Sequence, residues 1–248
     1  MQYLVMPFTR CMMLCGYKNP EYTKYWGYPH YGVDISTIQG GASDDHRILA
    51  SGEGVVLAAG KDSRLGYGAA VLYNDAFNHQ TGEVISVVGR YMHMKSLLVK
   101  EGDAVQAGTV IGEEGKEGTS DYHLHLEFDT DVTPTYATWS PQVAGTGGFW
   151  KKGVDSTVNP SHLLHMGPGQ SLAEPTYNPA WLNSEDLAIP QLESLDDCAG
   201  QLAALQKELE QERRRREIAE EAQAKAETEL AEIKSKILEL YEMLEGET

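Results

Sequence analysis

The chain has 248 residues, of which 41% are apolar and 23% are charged, values that are ordinary for a soluble protein with one sizeable domain and an appendage. Its formal net charge of −17 argues against nucleic acid as a main partner, because phosphate binding requires clustered Lys and Arg. No apolar stretch reaches the roughly 18 residues that a membrane-spanning helix needs, so no membrane span is predicted.

The N-terminal residues lack a basic start followed by a long apolar core, so the sequence predicts no signal peptide. The cysteines are Cys11, Cys15 and Cys198. An odd, low count does not indicate a disulfide framework. Cys11 and Cys15 are interpreted as buried small apolar side chains rather than as metal ligands.

Short apolar runs separated by glycine-containing turns follow, and they predict a mainly β domain of mostly antiparallel strands. Residues 48–60 hold two runs joined by a hairpin-type turn at Gly52-Glu53-Gly54, and residues 68–75 and 82–94 form two strands joined by a polar loop. Residues 97–112 alternate strand and turn, and residues 122–128 alternate apolar and polar side chains as one strand.

Histidines in three places, together with one aspartate, are candidates for metal binding and proton transfer. His30 and Asp34 can bind one metal ion only if the chain bends between them, and Gly32 lies where a bend costs least. Strand alternation puts His123 and His125 on one face. Two imidazoles and a carboxylate form the three-ligand set of a catalytic zinc site. The remaining two histidines, one of them His93, suit proton transfer because the imidazole pKa lies near neutrality.

The segments HYGVD, YMHM followed by LLVKEGDAVQAGTVIG, and HLHLEF, in this order, resemble the LytM/lysostaphin-type zinc metallopeptidases, which are murein endopeptidases. The resemblance covers roughly Gly16 to Asp129. It implies a narrow antiparallel β groove with one zinc ion on its floor, and the hydrolysis of peptide cross-links in bacterial peptidoglycan. It assigns His30, Asp34 and His125 as zinc ligands and His93 and His123 as catalytic residues.

The sequence departs from the family pattern in two places. Asp121-Tyr122 stands where many relatives have Gly-Pro, and the hairpin from Tyr73 to Arg90 is longer than usual. Both departures are expected to change substrate preference rather than metal binding. The aromatic residues before the first motif, Tyr25, Trp26, Tyr28 and Tyr31, are candidates for groove walls or for ordinary surface packing. The other histidines, His46, His79, His162 and His165, are interpreted as structural or surface residues.

The composition predicts three regions. Residues 1–165 form the metallopeptidase β domain, residues 166–194 a proline-containing linker, and residues 195–247 a coiled-coil helix. The heptad register runs without interruption from Leu195 onward, but its seam is apolar only at the two ends, because Glu212, Arg216 and Gln223 fall on it in the middle. This pattern favours a homo-oligomer held by this segment over a lone solvated helix. The site of action is expected to be extracellular or virion-associated, with delivery by a phage particle, by holin-assisted release or by a removed leader.

Two other interpretations stay open, and a third is set aside. Some members of the family lose ligands and serve as activators or binding modules, but all five key residues are present here. The β domain and coiled coil would also suit a structural virion protein. Residues 97–112 are similar to lipoyl and biotinyl carrier hairpins, but neither Lys95 nor Lys100 lies at the tight turn where such domains carry a modified lysine.

Overall fold

The computed structural model describes residues 1–143, 148–176 and 178–193, together with Arg213 and Lys234. The chain divides into two units, Met1–Leu195 and Asp196–Thr248. The first unit is mainly β, as the sequence predicts. Within the described residues its single α-helix is α1 (Pro20–Trp26). The strands of the described residues are, in chain order, β1 (Leu4–Val5), β2 (Arg10–Cys15), β3 (Val33–Ser36), β4 (Arg47–Leu49), β5 (Gly54–Asp62), β6 (Gly66–Phe77), β7 (Val84–Met94), β8 (Ser96–Leu97), β9 (Ala104–Val105), β10 (Val110–Glu113), β11 (Leu124–Asp129), β12 (Trp139–Ser140), β13 (Trp150–Lys151), β14 (Thr157–Val158), β15 (Leu164–His165) and β16 (Ser171–Leu172).

The main sheet has nine strands in the order β16-β2-β3-β11-β7-β6-β5-β9, with β14 also pairing with β11. Its central pairs, from β2 to β9, are antiparallel. A second antiparallel sheet has the order β4-β10-β8. Parallel pairing occurs at the margins, where β1 pairs with β15, β16 with β2, and β12 with β13. Strands β3, β11 and β7 therefore lie side by side in the middle of the main sheet.

The alternation of residues 122–128 places one face of β11 in the hydrophobic core. Leu124, Leu126 and Phe128 are fully buried and belong to the main core cluster, which also contains Val33 and Ile35 of β3. Since successive side chains of a strand point to opposite faces, His125 of β11 and His123 just before the strand point away from this core. The core thus holds the strand in register and leaves the polar face of β11 on the other side of the sheet.

The predicted hairpin of residues 68–94 is confirmed, because β6 pairs antiparallel with β7. The predicted hairpin at Gly52–Gly54 is wrong. The two runs do not pair with each other, because β4 pairs with β10 while β5 pairs with β6 and β9. The turn signal located the end of each strand, but pairing with distant strands decided the partners.

Helix α1 was not predicted, although its ends carry ordinary signals. The side chain of Asn19 accepts hydrogen bonds from the amides of Glu21 and Tyr22, Pro20 occupies the first turn, and Gly27 ends the helix with a φ of 79°. These are the usual N-cap, N-terminal proline and C-terminal glycine of a helix. With seven residues the helix is too short to show an apolar period.

The described part of the predicted linker folds onto the β domain. Ser171 and Leu172 form β16 against β2, and Asp186 is buried and accepts hydrogen bonds from Ser161 and Asn183. The boundaries 1–165, 166–194 and 195–247 remain predictions, and apart from Arg213 and Lys234 the predicted coiled coil lies outside the described residues. Within the part of the chain that the structure describes, no helix has the length and apolar character needed to cross a membrane.

Candidate metal centre

Strand register brings together side chains that are far apart in the sequence. In the antiparallel pairing of β3 with β11, Asp34 lies directly opposite His125. In the pairing of β2 with β3, Cys15 lies opposite Asp34. Directly opposed residues of antiparallel strands have Cβ atoms about 4.5–5.5 Å apart. Three neighbouring strands therefore present a thiol, a carboxylate and an imidazole in a row.

The three predicted ligands converge on one point. His30 Nε2 lies 3.0 Å from Asp34 Oδ1 and 3.0 Å from His125 Nδ1, and His125 Nδ1 lies 2.9 Å from Asp34 Oδ1. The donor atoms thus form a nearly equilateral triangle. His30 and His125 are buried, while Asp34 is half-buried at the groove.

Backbone contacts orient His30. Its Nδ1–H donates to the carbonyl of Gly16 at 3.0 Å, and its own carbonyl accepts from the amide of Lys18. Because Nδ1 carries the proton, Nε2 keeps its lone pair and faces Asp34 and His125. Position 32 needs a glycine for a reason other than the predicted bend. A Cβ there would collide with the backbone carbonyl of Leu126 and lie 2.9 Å from His125 Nε2. Gly32 is thus required for the close approach of β11.

His125 is held from its other side. Its Nε2 lies 3.2 Å from Glu127 Oε1, so Nε2–H donates to that carboxylate. Burial opposes a charge on this ring, but hydrogen bonds to Asp34 and Glu127 outweigh burial and raise the pKa of His125 to about 9. Burial also opposes the charge on Asp34, yet the neighbouring His30 and His123 hold the pKa of its carboxyl well below the usual range.

The donor set fits a zinc ion. A tetrahedral zinc ion binds nitrogen and carboxylate oxygen at about 2.0–2.2 Å, which separates its ligand atoms by roughly 3.3–3.5 Å. The separations of 2.9–3.0 Å in the triangle are close to this value. Each imidazole also donates its other ring N–H to an acceptor, Gly16 O or Glu127 Oε1, which is the usual second layer around a metal-bound histidine.

The two predicted catalytic histidines lie beside this triangle. The ring centres of His93 and His123 are 4.9 Å apart, and those of His93 and His125 are 6.1 Å apart. His93 Nδ1–H donates to the carbonyl of Glu117 at 2.7 Å, and His123 Nδ1–H donates to that of Asp121 at 3.0 Å. In both rings Nε2 is therefore the atom left for the groove, and His123 Nε2 lies 3.7 Å from Asp34 Oδ1.

The backbone of His93 is unusual. Its φ is 65°, in the left-handed region that few non-glycine residues adopt and that recurs at active sites. Burial, together with the charges of His123 and His125, lowers the pKa of His93 to about 3. Its imidazole is therefore neutral, and Nε2 is a hydrogen-bond acceptor at ordinary pH.

Cys15 is closer to the metal centre than the sequence indicated. Its thiol, a ring nitrogen of His30 and an oxygen of Asp34 lie within 4.8 Å of one another. The interpretation of Cys15 as a buried side chain agrees with the structure, since it is 1% exposed. Burial and the charge of Asp34 raise the pKa of the thiol well above its ordinary value, so the group is a neutral thiol.

The centre lies on the floor of a groove of about 1290 Å³. One wall is aromatic and combines α1 with Trp181, whose ring centre is 5.5 Å from that of Tyr22 and 5.7 Å from that of Tyr25. Tyr22 in turn packs on His30, with ring centres 4.6 Å apart. Tyr25, Trp26 and Tyr28 of the predicted wall line the groove.

Sequence reasoning missed two contributors. Glu127 follows His125 by two residues on the same strand, so strand alternation alone would have placed it on the polar face with the histidines. Trp181 carries no local signal, because its place in the groove depends on how residues 166–193 fold back. Of the four unassigned histidines, His79, His162 and His165 form a cluster of their own with ring centres 5.1–6.4 Å apart.

Part of the chain is similar to known proteins. Residues 28–136 match the model of Peptidase family M23, which confirms the resemblance to LytM-type peptidases. The chain is 35% identical over 105 residues to the lipoprotein NlpD/LppB homolog of Pseudomonas aeruginosa, covering 42% of this chain and 30% of that protein. It is 34% identical over 99 residues to the murein hydrolase activator NlpD of Escherichia coli, covering 39% of this chain and 22% of that one. The chain thus spans less than a third of the length of these relatives.

The peptidase lysostaphin from Staphylococcus simulans is 24% identical, with a TM-score of 0.39, and the match covers 54% of this chain and 49% of that chain.

Proposed function

We propose that this chain, whose residues 28–136 form a domain of peptidase family M23, is a zinc-dependent endopeptidase that hydrolyses peptide cross-links of bacterial peptidoglycan. The observation that supports this most is the convergence of His30, Asp34 and His125 within 3.0 Å of one another, with two further imidazoles alongside. A purely structural metal site would have no use for His93 and His123 with their Nε2 atoms left for the groove.

The proposed reaction assigns metal binding and proton transfer to different residues. His30, Asp34 and His125 would hold zinc, which when bound supplies a Lewis acid for the scissile carbonyl and lowers the pKa of a coordinated water to about 7. His93 and His123 are placed to accept a proton from the attacking water through Nε2, and the ring that takes this proton would then donate it to the developing oxyanion or pass it to the leaving amine. Removing either should reduce the rate far more than the metal content.

The groove suggests how a peptide would be held. Tyr22 and Trp181 form a wall beside the metal centre, and Tyr25 and Trp26 are 70% and 50% exposed. Exposed aromatic rings next to a site offer contact area at low entropy cost. We expect Trp181→Ala to raise KM for cross-linked muropeptides with little change in kcat, since the ring of Trp181 packs on Tyr22 and Tyr25 of the groove wall.

Digestion of purified cell wall tests the proposal. Mass spectrometry of muropeptides released from several wall types would identify the bond that is cut. His30→Ala should lose zinc and activity, and His123→Ala should retain zinc and lose activity. His162→Gln, which changes a histidine outside the groove, is the matched control and should behave as the unaltered protein. Full activity of His30→Ala would refute the ligand assignment.

One other function is favoured by a specific observation, because the Escherichia coli relative is named as a murein hydrolase activator. An activator would stimulate other wall hydrolases without cutting bonds itself. The complete set of five polar side chains at the centre supports catalysis instead. If zinc-loaded protein releases no muropeptides on its own but increases release by a separate wall hydrolase, the activator function is the correct one.

We further propose that the enzyme acts at the wall from outside the cell or from a phage particle, and that residues 195–247 join several chains. The heptad pattern of these residues supports the association. Light scattering after size-exclusion chromatography should show an oligomer for the full chain and a monomer for residues 1–194. A monomer in both samples would refute the coiled coil.

A further inference from the structure

A buried polar network stands behind His125. Glu127 is fully buried, and its Oε1 accepts a hydrogen bond from Ser140 Oγ at 2.7 Å as well as the bond from His125 Nε2. Its Oε2 accepts from Arg90 Nε at 2.8 Å. Both oxygens of the carboxylate are therefore committed, and the side chain has one position. A carboxylate held in this way can orient whatever donates to it.

The network is anchored on a second carboxylate. Arg90 Nη2 donates to Asp129 Oδ2 at 2.6 Å, and Asp129 also accepts from Lys152 and Ser156. Burying these charges costs free energy that their pairing with one another offsets. Asp129 makes the same kind of contacts as Glu127 but does not touch His125. If the network only stabilised the fold, replacing either acid should have the same effect on zinc binding.

We propose that Glu127 is a positioning residue for the metal centre, an inference that rests on the proposed zinc site. By accepting the Nε2 proton of His125, Glu127 leaves Nδ1 as the nitrogen that would offer its lone pair to zinc, and it holds the ring so that Nδ1 faces Asp34 and His30. Arg90 and Ser140 act one step further out, because they hold Glu127. Without this support the ring of His125 can rotate and can also adopt the tautomer that is protonated on Nδ1.

The test compares Glu127→Gln with Asp129→Asn in the full chain. Each variant replaces one carboxylate of the Arg90 network with its amide, but only the first faces His125. Zinc is removed by chelation and titrated back against a chromophoric chelator, which gives the Kd without any measurement of activity. Replacing the outer partner of a metal-bound histidine costs about 10- to 100-fold in metal affinity. We expect a loss of this size for Glu127→Gln and less than a threefold change for Asp129→Asn.

A spectroscopic measurement separates positioning from stability. Long-range ¹⁵N–¹H NMR of the histidine rings should show one tautomer of His125 in the zinc-loaded protein and in Asp129→Asn, and a weakened or mixed signal in Glu127→Gln. If Glu127→Gln does not fold, Ser140→Ala, which removes only one hydroxyl that holds Glu127, should still bind zinc more weakly than the unaltered protein.

The outcomes are distinct. Wild-type zinc affinity in Glu127→Gln, equal losses in both acid variants, or unchanged affinity in Ser140→Ala as the fallback would overturn the positioning role while leaving the peptidase intact. Failure of the unaltered protein to bind zinc would instead refute the metal centre itself, and the positioning role with it.

Discussion

Arg90 provides the sharpest test of how the site is supported. Its guanidinium is fully buried and pairs with Glu127 at 2.8 Å and Asp129 at 2.6 Å. Arg90→Met keeps much of the volume but removes the positive charge. Glu127 and Asp129 then remain buried with fewer partners, although Lys152 still contacts Asp129. Removing one member of a buried ion pair costs about 3–5 kcal/mol, and the remaining lysine places the expected loss near the lower value.

The expected loss converts into a measurable temperature shift. In a domain of 150–250 residues, 1 kcal/mol changes Tm by about 2–4 °C, so a loss of about 3 kcal/mol should lower Tm by about 6–12 °C. Thermal unfolding followed by circular dichroism, with urea unfolding at 25 °C, would measure both quantities. The Tm of Arg90→Lys should lie between those of the unaltered protein and Arg90→Met, because one ammonium group cannot bridge two carboxylates as a planar guanidinium does.

The matched control is Lys24→Met. Lys24 pairs with Glu21 at 3.3 Å on the surface, with side-chain exposures of 76% and 53%, and exposed pairs of this kind contribute less than about 1 kcal/mol. The two substitutions remove the same charge and introduce the same side chain. If Arg90→Met lowers Tm no more than Lys24→Met does, the buried network does not support the centre in the way described.

Three more outcomes are expected. Burial and the charge of His79 lower the pKa of His165 from 6.5 to about 4, so the stabilisation from its neutral form is present above pH 6.5 and is lost as the pH falls toward 4. Urea unfolding at pH 8 and pH 5 should show a decrease of about 2 kcal/mol that His165→Gln lacks, and equal decreases would contradict this. Gly32→Ala should destabilise the domain by about 1–3 kcal/mol and weaken zinc binding, because the new Cβ meets the backbone of Leu126. Gly60→Ala, where a Cβ meets nothing within 4 Å, should do neither in the same titration and unfolding experiments, and the close-approach argument fails if the two variants behave alike. Free zinc at 1,000 times its Kd should stabilise the protein by about 4 kcal/mol in thermal melts, and a gain of the same size in His125→Ala would refute the ligand set.

Strand alternation correctly predicted which side chains of β11 face the core. The pattern of residues 122–128 places His123 and His125 on one face and Leu124 and Leu126 on the other, and the leucines are indeed buried in the core. The hairpin of β6 and β7 was also predicted, since its strands are neighbours in the chain. Order and spacing of the motifs then indicated the resemblance that the family match over residues 28–136 confirmed.

The pairing between strands that are distant in the chain could not be predicted from local sequence patterns. The turn at Gly52–Gly54 resembles that of a hairpin, yet β4 and β5 find partners elsewhere. The same long-range pairing sets Asp34 opposite His125, and the fold of residues 166–193 brings Trp181 to the groove. None of these contacts can be predicted from a short window of the sequence.

The amino-acid sequence by itself determined the β class, the polar face of β11 and the residue types suited to a metal, because side-chain alternation and ligand chemistry are local properties. Only the tertiary structure decided that Glu127 lies behind His125 with Arg90 and Ser140 behind it, and that Gly32 must lack a side chain. Such contacts depend on which strands become neighbours, and that is settled by burial of the whole core rather than by any one segment.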